Sequence, residues 1–165
     1  MPSFWRFLRS TFHAAPSILK LLDDVQDAFL ESINISRKDA LLNFNLGPTC
    51  LRRDIAMLGV LHKVVLRIAP DPLQEMFNKK ACDLRHFGFQ EGPKLHDKQL
   101  QDNVGNHSPI LLKRSLFGLV HVYNRLPQVV VDAVSVQSLQ RKLQCIAKVE
   151  VETNPKWDLV FHRKC

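Results

Sequence analysis

The sequence predicts a mainly α protein: a small helical bundle with a long irregular or partly disordered middle segment. Three observations predict it. Apolar residues recur at three- and four-residue steps over 17–33 and again over 50–68, which places them on one face of a helix. Residues suited to helix caps stand ahead of the apolar runs. Residues 78–113 carry Gly88, Gly92, Gly105, Pro93 and Pro109 amid Asn, Asp, Lys and His, with no sustained period. The chain therefore divides into an N-terminal extension 1–12, a helical region 13–77, an irregular segment 78–113 and a C-terminal helical region with its tail, 114–165.

Ile18, Leu22, Val25, Phe29 and Ile33 form the apolar stripe of the first helix, with Lys20, Asp24, Asp27 and Glu31 on the other side. Pro16 suits its first turn. Ser36 and Asp39 make a capping-box-like start for a short helix through Ala40, Leu41, Leu42 and Phe44, ended by Gly47-Pro48. Thr49 caps the next and strongest helix, about residues 50–68. Its stripe is Leu51, Ile55, Leu58, Leu61, Val65 and Ile68, with Arg52, Lys63 and Arg67 near one line on the opposite side. Pro70 stops it, and Asp71-Pro72 opens a short helix through Phe77. An irregular segment as long as 78–113 is unusual inside a compact domain; it is partly disordered or packs on something missing. Ser115, Leu116, Leu119, Val120 and Tyr123 suit a short helix ended at Leu126-Pro127. Val129-Val130-Val131 fits a strand by propensity, or a short helix opened by Pro127. Ser135 caps a final helix with Val136, Leu139, Leu143 and Ile146 inward and Arg141, Lys142 and Lys148 outward.

The 165 residues carry a net charge of +7, placed unevenly. Residues 1–48 are neutral, with five Lys/Arg and five Asp/Glu; residues 49–165 hold 18 Lys/Arg against 11 Asp/Glu and so carry all of the excess. A basic half attracts polyanions, nucleic acid first; simple solubility explains the same excess. Cys50, Cys82, Cys145 and Cys165 form no CxxC pair, and with no secretory signal visible a disulfide framework is not expected. Reduced thiols in an intracellular compartment, nuclear or cytoplasmic, are the default, with Cys50 and Cys145 read as core thiols. No apolar run reaches the roughly 20 residues of a membrane span. Before Asp23 there is no acid, while Arg6, Arg9 and Lys20 alternate with Phe4, Trp5, Phe7 and Phe12. That start faintly resembles an organelle transit peptide, or is an arbitrary chain start.

Catalytic templates are missing. The sequence has no GxxxxGK[ST] loop, no GxSxG elbow and no HExxH helix. Asp23-Asp24 is the only adjacent acidic pair, and it sits on a helix behind Leu21-Leu22, where a solvated face is the better reading than a two-metal site. Cys82, His86, His96 and His107 are spaced too loosely for a structural zinc template, and neither a metal nor a cofactor is expected. Arg52, Arg53, Lys63 and Arg67 are the leading phosphate-contact candidates, followed by Arg141, Lys142 and Lys148. Trp157 folds back onto the core or stacks on bases near Arg163.

Three segments then stand out together. The first is His13-Ala14-Ala15-Pro16-Ser17 with Leu22-Asp23-Asp24-Val25-Gln26 and Phe29-Leu30. The second runs from Leu51-Arg52-Arg53-Asp54-Ile55-Ala56-Met57-Leu58-Gly59-Val60-Leu61-His62-Lys63 to Pro70 and Leu73. The third is Arg114-Ser115-Leu116-Phe117, Tyr123-Asn124-Arg125-Leu126-Pro127 and Ser135-Val136. In that order they resemble the region following the palm of non-LTR (LINE-type) retrotransposon reverse transcriptases, over about residues 13–160. The resemblance implies a thumb-like and post-thumb helical region, in which Arg52, Arg53 and Lys63 lie near the phosphates of a template–primer duplex. Fingers, palm, the aromatic-x-Asp-Asp motif and a terminal zinc knuckle are all absent, and Arg67-Ile68-Ala69 stands where the family more often has a Leu-Gly turn. The expected function is thus a non-catalytic remnant with weak, sequence-independent binding of RNA or an RNA–DNA duplex and no membrane role. The alternative is a helical protein-interaction module that meets a second copy, or a separate polymerase half, through the stripes of 17–33 and 50–68.

Overall fold

The computed structural model describes residues 16–77, 96–102, 104 and 115–161. The extension 1–12, the zinc candidates Cys82, His86 and His107, and Arg163 lie outside the described residues. The described chain is mainly helical. Four helices precede the middle segment: α1 (Pro16–Ser32), α2 (Arg37–Phe44), α3 (Thr49–Val65) and α4 (Asp71–Glu75). After it, a 3-10 turn (Leu116–Leu119) runs into α5 (Val120–Tyr123), followed by α6 (Gln128–Val131), α7 (Val136–Thr153) and a closing 3-10 turn (Trp157–Leu159).

Local chemistry sets most of the boundaries. The Ser36 hydroxyl accepts the Asp39 N–H at 3.1 Å and donates to its carboxylate at 2.6 Å, so the capping box forms. Ser135 accepts the Ser138 N–H at 3.2 Å and starts α7. The N-cap of α3 is Pro48, not Thr49, whose side chain makes no capping bond. That helix also ends earlier than the apolar stripe suggests. Leu66 caps it, and Arg67 adopts φ 62°. The N–H groups of Arg67 and Ile68 turn back to the carbonyls of Val64 and Lys63 at 3.1 and 3.0 Å, a Schellman closure with arginine where glycine fits best. Val129-Val130-Val131 is helical, entered from Pro127.

α3 is the axle of the fold. Leu51, Asp54, Ile55, Met57, Leu58, Gly59, Val60, Leu61, His62, Val64 and Val65 are all buried, so the helix is covered on nearly every side. Its main partner is α7, which turns Leu139, Leu143, Ala147 and Val151 inward. The two helices approach closely at Gly59, where a Cβ would lie 2.9 Å from Gln140 Nε2 and 3.0 Å from Val136 Cγ1. α1 and the turn at 116–119 pack on α3, while α2 packs on α1 and α7. Leu41, Leu58, Tyr123, Leu139 and Phe161 belong to one continuous core, so the regions 13–77 and 114–165 fold on each other. Trp157 packs partly buried against that core, which settles the tail in favour of folding back.

The described part of the middle segment is tied down. His96, Gln99, Leu100 and Val104 are buried. Asn124 anchors them: its Oδ1 accepts the Leu100 N–H at 2.9 Å and its Nδ2 donates to the Leu100 carbonyl at 2.7 Å. Residues 96–100 therefore pack on this chain's own α5, not on something missing.

Candidate functional site

The second and third sequence segments meet in one buried knot. His62 of α3 is fully buried and bonded at both ring nitrogens. A carbonyl only accepts, so Nε2–H donates to the Ala133 oxygen at 2.8 Å, and Nδ1 accepts the Tyr123 hydroxyl at 2.9 Å. His96 closes the other side of Tyr123: its Nε2–H donates to the Tyr123 carbonyl at 3.1 Å, its Nδ1 accepts the Lys98 N–H at 3.1 Å, and its ring meets the phenol edge-on. Burial pushes both imidazoles below the usual histidine range, and the Lys98 charge adds to this at each. Burial also raises the Tyr123 phenol. The knot joins α3, residues 96–100, α5 and the entry to α7; beside it the buried Gln99 Oε1 has no hydrogen-bond partner. His96 is thereby committed and unavailable as a zinc ligand.

The basic candidates are dispersed. Arg52 is exposed and donates to Gln26 Oε1 at 2.8 Å, while the half-buried Arg53 puts its charge beside Asp23. Lys63 is half-buried, and lies about 16 Å along the helix from Arg52, within about 20° of the same line. Between them Gly59 is covered by Gln140 and Val136, so α7 crosses the line and interrupts it. Arg67 is exposed but sits beyond the helix end in a left-handed conformation, off that line. Arg141 is exposed on α7, whereas the Lys142 ammonium donates to the Val129 carbonyl and that of Lys148 to the Leu42 carbonyl at 3.0 Å. Lys142 and Lys148 thus serve as internal ties more than as outward cations.

The acidic pair diverges. Asp24 is exposed and pairs with Lys20 at 3.4 Å. Asp23 points toward α3, and burial raises its carboxyl against the lowering effect of Arg53 and Arg37. It is not on a solvated face. Among the described residues no group of three or more His, Cys, Asp or Glu could hold a metal ion. Cys50 is partly buried, with its thiol pushed up to about 11 by desolvation, and Cys145 is exposed on α7, not in the core.

α1 does not bury its apolar stripe. Its apolar stripe faces outward: Ile18 is 53% exposed, Leu22 47%, Val25 69%, Phe29 53% and Ile33 45%, with Leu21 joining them at 62%. The side that packs is roughly 90° away and consists of Leu19, Asp23, Gln26 and Leu30. Gln26 explains the choice. Its Nε2 donates to the carbonyl of the buried Gly47 at 3.1 Å while its Oε1 accepts from Arg52. These polar bonds, which periodicity does not register, hold the helix with its apolar side out. The stripe is edged by Gln26 with Arg52 on one side, while Asp24 and Glu31 stand on the far side of the helix. Contiguous apolar surface of this kind marks an interaction site more often than chance exposure. No described helix is long and apolar enough to cross a membrane. Compared with known proteins, the chain matches no family model, no curated protein and no solved structure.

Proposed function

We propose that the chain is a non-catalytic helical module of retrotransposon reverse-transcriptase descent that works by protein association through the outer face of α1. The carrying observation is the outward stripe Ile18, Leu21, Leu22, Val25 and Phe29, edged by Gln26 and Arg52. Such a face suits an amphipathic segment whose apolar side lies along it, the apolar side chains supplying the affinity. The descent rests on the ordered sequence segments. The absence of catalysis rests on the missing polymerase motif and on the divergence of Asp23 and Asp24.

The test uses a labelled amphipathic helical peptide with a Leu-rich face, titrated with the full chain. Saturable binding, lost at least tenfold in the Val25→Asp, Phe29→Asp double variant and absent for a scrambled peptide of the same composition, is the expected result. Equal binding by the double variant would sink the proposal.

Exposure of Arg52, Arg67 and Arg141 favours a second reading, weak sequence-independent binding of RNA or an RNA–DNA duplex. Its signature is an affinity that falls steeply across a salt series and falls further in the Arg52→Ala, Lys63→Ala variant. Binding indifferent to salt counts against it.

A further inference from the structure

We infer that the occupant of the α1 face is the same face of a second copy of this chain, so that two chains pair about a two-fold axis through α1. This rests on the docking reading above and names its partner.

The face has the chemistry of a surface that meets itself. Ile18, Leu21, Leu22, Val25 and Phe29 run along the helix at steps of three and four. The exposed Ser17, Ala28 and Ser32 flank them on one side, and Gln26 with Arg52 bonded to it on the other. Lys20, Asp24, Asp27 and Glu31 stand on the opposite side of the helix, away from any contact the stripe makes. An identical stripe laid against this one therefore sets no carboxylate against its own copy. Two-fold pairing asks only for one patch complementary to itself. Homodimer contacts are the more apolar class of interface and are poor in charge at their centre, which is the composition found here.

The area suffices for two copies. Ile18, Leu21, Leu22, Val25, Phe29 and Ile33 are 45–69% exposed. At on the order of 100 Å² apiece, they offer about 600 Å² per copy and about 1,200 Å² across a two-fold contact, the lower edge of the roughly 1,200–2,000 Å² of stable interfaces. α1 is already held on its own chain by Gln26 and the buried Leu30, so pairing orders little backbone. An interface of this size gives a dissociation constant in the micromolar range.

A lipid surface fits less well. α1 carries Lys20 alone against Asp23, Asp24, Asp27 and Glu31, whereas helices that lie on membranes carry Lys and Arg on their polar side. The same imbalance repels the phosphates of nucleic acid.

The experiment is sedimentation equilibrium of the full chain from about 1 to about 200 µM, a range that brackets a micromolar constant. Reducing buffer excludes a disulfide through the exposed Cys145. The mass should rise from that of one chain to that of two and stop there. Val25→Asp and Val25→Lys should each weaken pairing at least tenfold while leaving the circular dichroism melt unchanged, because Val25 is 69% exposed. An equimolar mixture of the two variants should regain the two-chain mass. Val25 stands near the middle of the stripe and meets its own counterpart whichever way the helices run. A chain that stays single over the whole range overturns the inference. So does a mass that climbs past two without a plateau, a single variant that pairs undiminished, or a mixture that stays apart. The Leu-rich peptide separates the two readings. If the chain stays single yet binds the peptide, and Val25→Asp with Phe29→Asp abolishes that binding, the docking reading survives and only the partner is wrong. If it stays single and binds no peptide, the docking reading falls as well.

Discussion

Lowering the pH from 7.5 to 5.5 should destabilise the fold through the buried knot. His62 and His96 are 0% and 3% exposed, and both have their pKa lowered by burial. The folded chain therefore binds fewer protons at these two sites than the unfolded chain. Stability is full above the unfolded value near 6.5 and falls as pH drops below it, until the folded values are reached. Each histidine contributes at most about 1.4 kcal/mol over this interval, so the pair accounts for up to about 3 kcal/mol and a fall in Tm of roughly 10 °C. The geometry gives the same sign. A proton on His62 Nδ1 turns an acceptor into a donor facing the Tyr123 hydroxyl, which must give up its own hydrogen bond to receive it. Lys98 and Lys142 face His62, and Asp97, Lys98 and Asp132 surround His96; the two acids oppose the shift at His96, and burial outweighs them. Carboxylates act elsewhere on the scale. Asp27, lowered by Arg37, loses its stabilising effect only as pH falls below the unfolded value of 3.8. Asp23, raised by burial, works in the opposite direction, costing stability at neutral pH and less as pH falls toward 3.8. The assay is thermal melting by far-UV circular dichroism at the two pH values. His96→Gln, which keeps one donor and one acceptor but does not titrate, should remove about half of the loss. Equal Tm at pH 7.5 and 5.5 would refute the reasoning, as would an undiminished loss in His96→Gln.

Two further perturbations test the packing. Gly59→Leu should cost about 1–3 kcal/mol in urea unfolding, because any Cβ there already meets Gln140 Nε2 at 2.9 Å and Val136 Cγ1 at 3.0 Å, and a longer side chain must push α7 away from α3. Arg67→Gly should stabilise by on the order of 1 kcal/mol, because it relieves a left-handed φ of 62° at an exposed residue. In the same variant, an unchanged salt slope for RNA binding would remove Arg67 from the set of phosphate contacts.

The sequence made the helices legible because their signals are local. Ser36 and Ser135 cap where their hydroxyls reach back to N–H groups three residues on, and the α7 stripe turns Leu139 and Leu143 inward as its spacing requires. Long-range polar bonds were not legible. Nothing in the spacing of residues 96–104 announces that Asn124 and His96 will fix them to α5. The basic residues were found individually, yet their common line on α3 says nothing about α7 crossing it at Gly59. Of the three sequence segments, the second and third supply Leu58, His62, Tyr123 and Leu126 to the core and the knot, whereas Leu22, Val25 and Phe29 of the first are exposed.

The outward orientation of α1 can be tested directly. Rolling the helix by roughly a quarter turn would bury Val25 and Phe29, at about 1.5–3 kcal/mol for each side chain taken fully out of water. The same roll would strip Gln26 from the buried Gly47 carbonyl and from Arg52, and would press an apolar stripe against the polar start of α3, where Arg53 and Asp54 stand. Leaving a buried carbonyl unpaired costs about 1–3 kcal/mol, and desolvating charged groups costs more. The polar terms win only if these bonds hold the helix. Gln26→Leu adds apolar area to the packed side while removing both bonds, so the two accounts disagree in sign. If the bonds set the orientation, the variant loses about 1–3 kcal/mol in urea unfolding, a loss that adding apolar area does not recover. If α1 is free to roll its apolar stripe inward, the variant is neutral or more stable, and the outward face is not a fixed feature of the molecule.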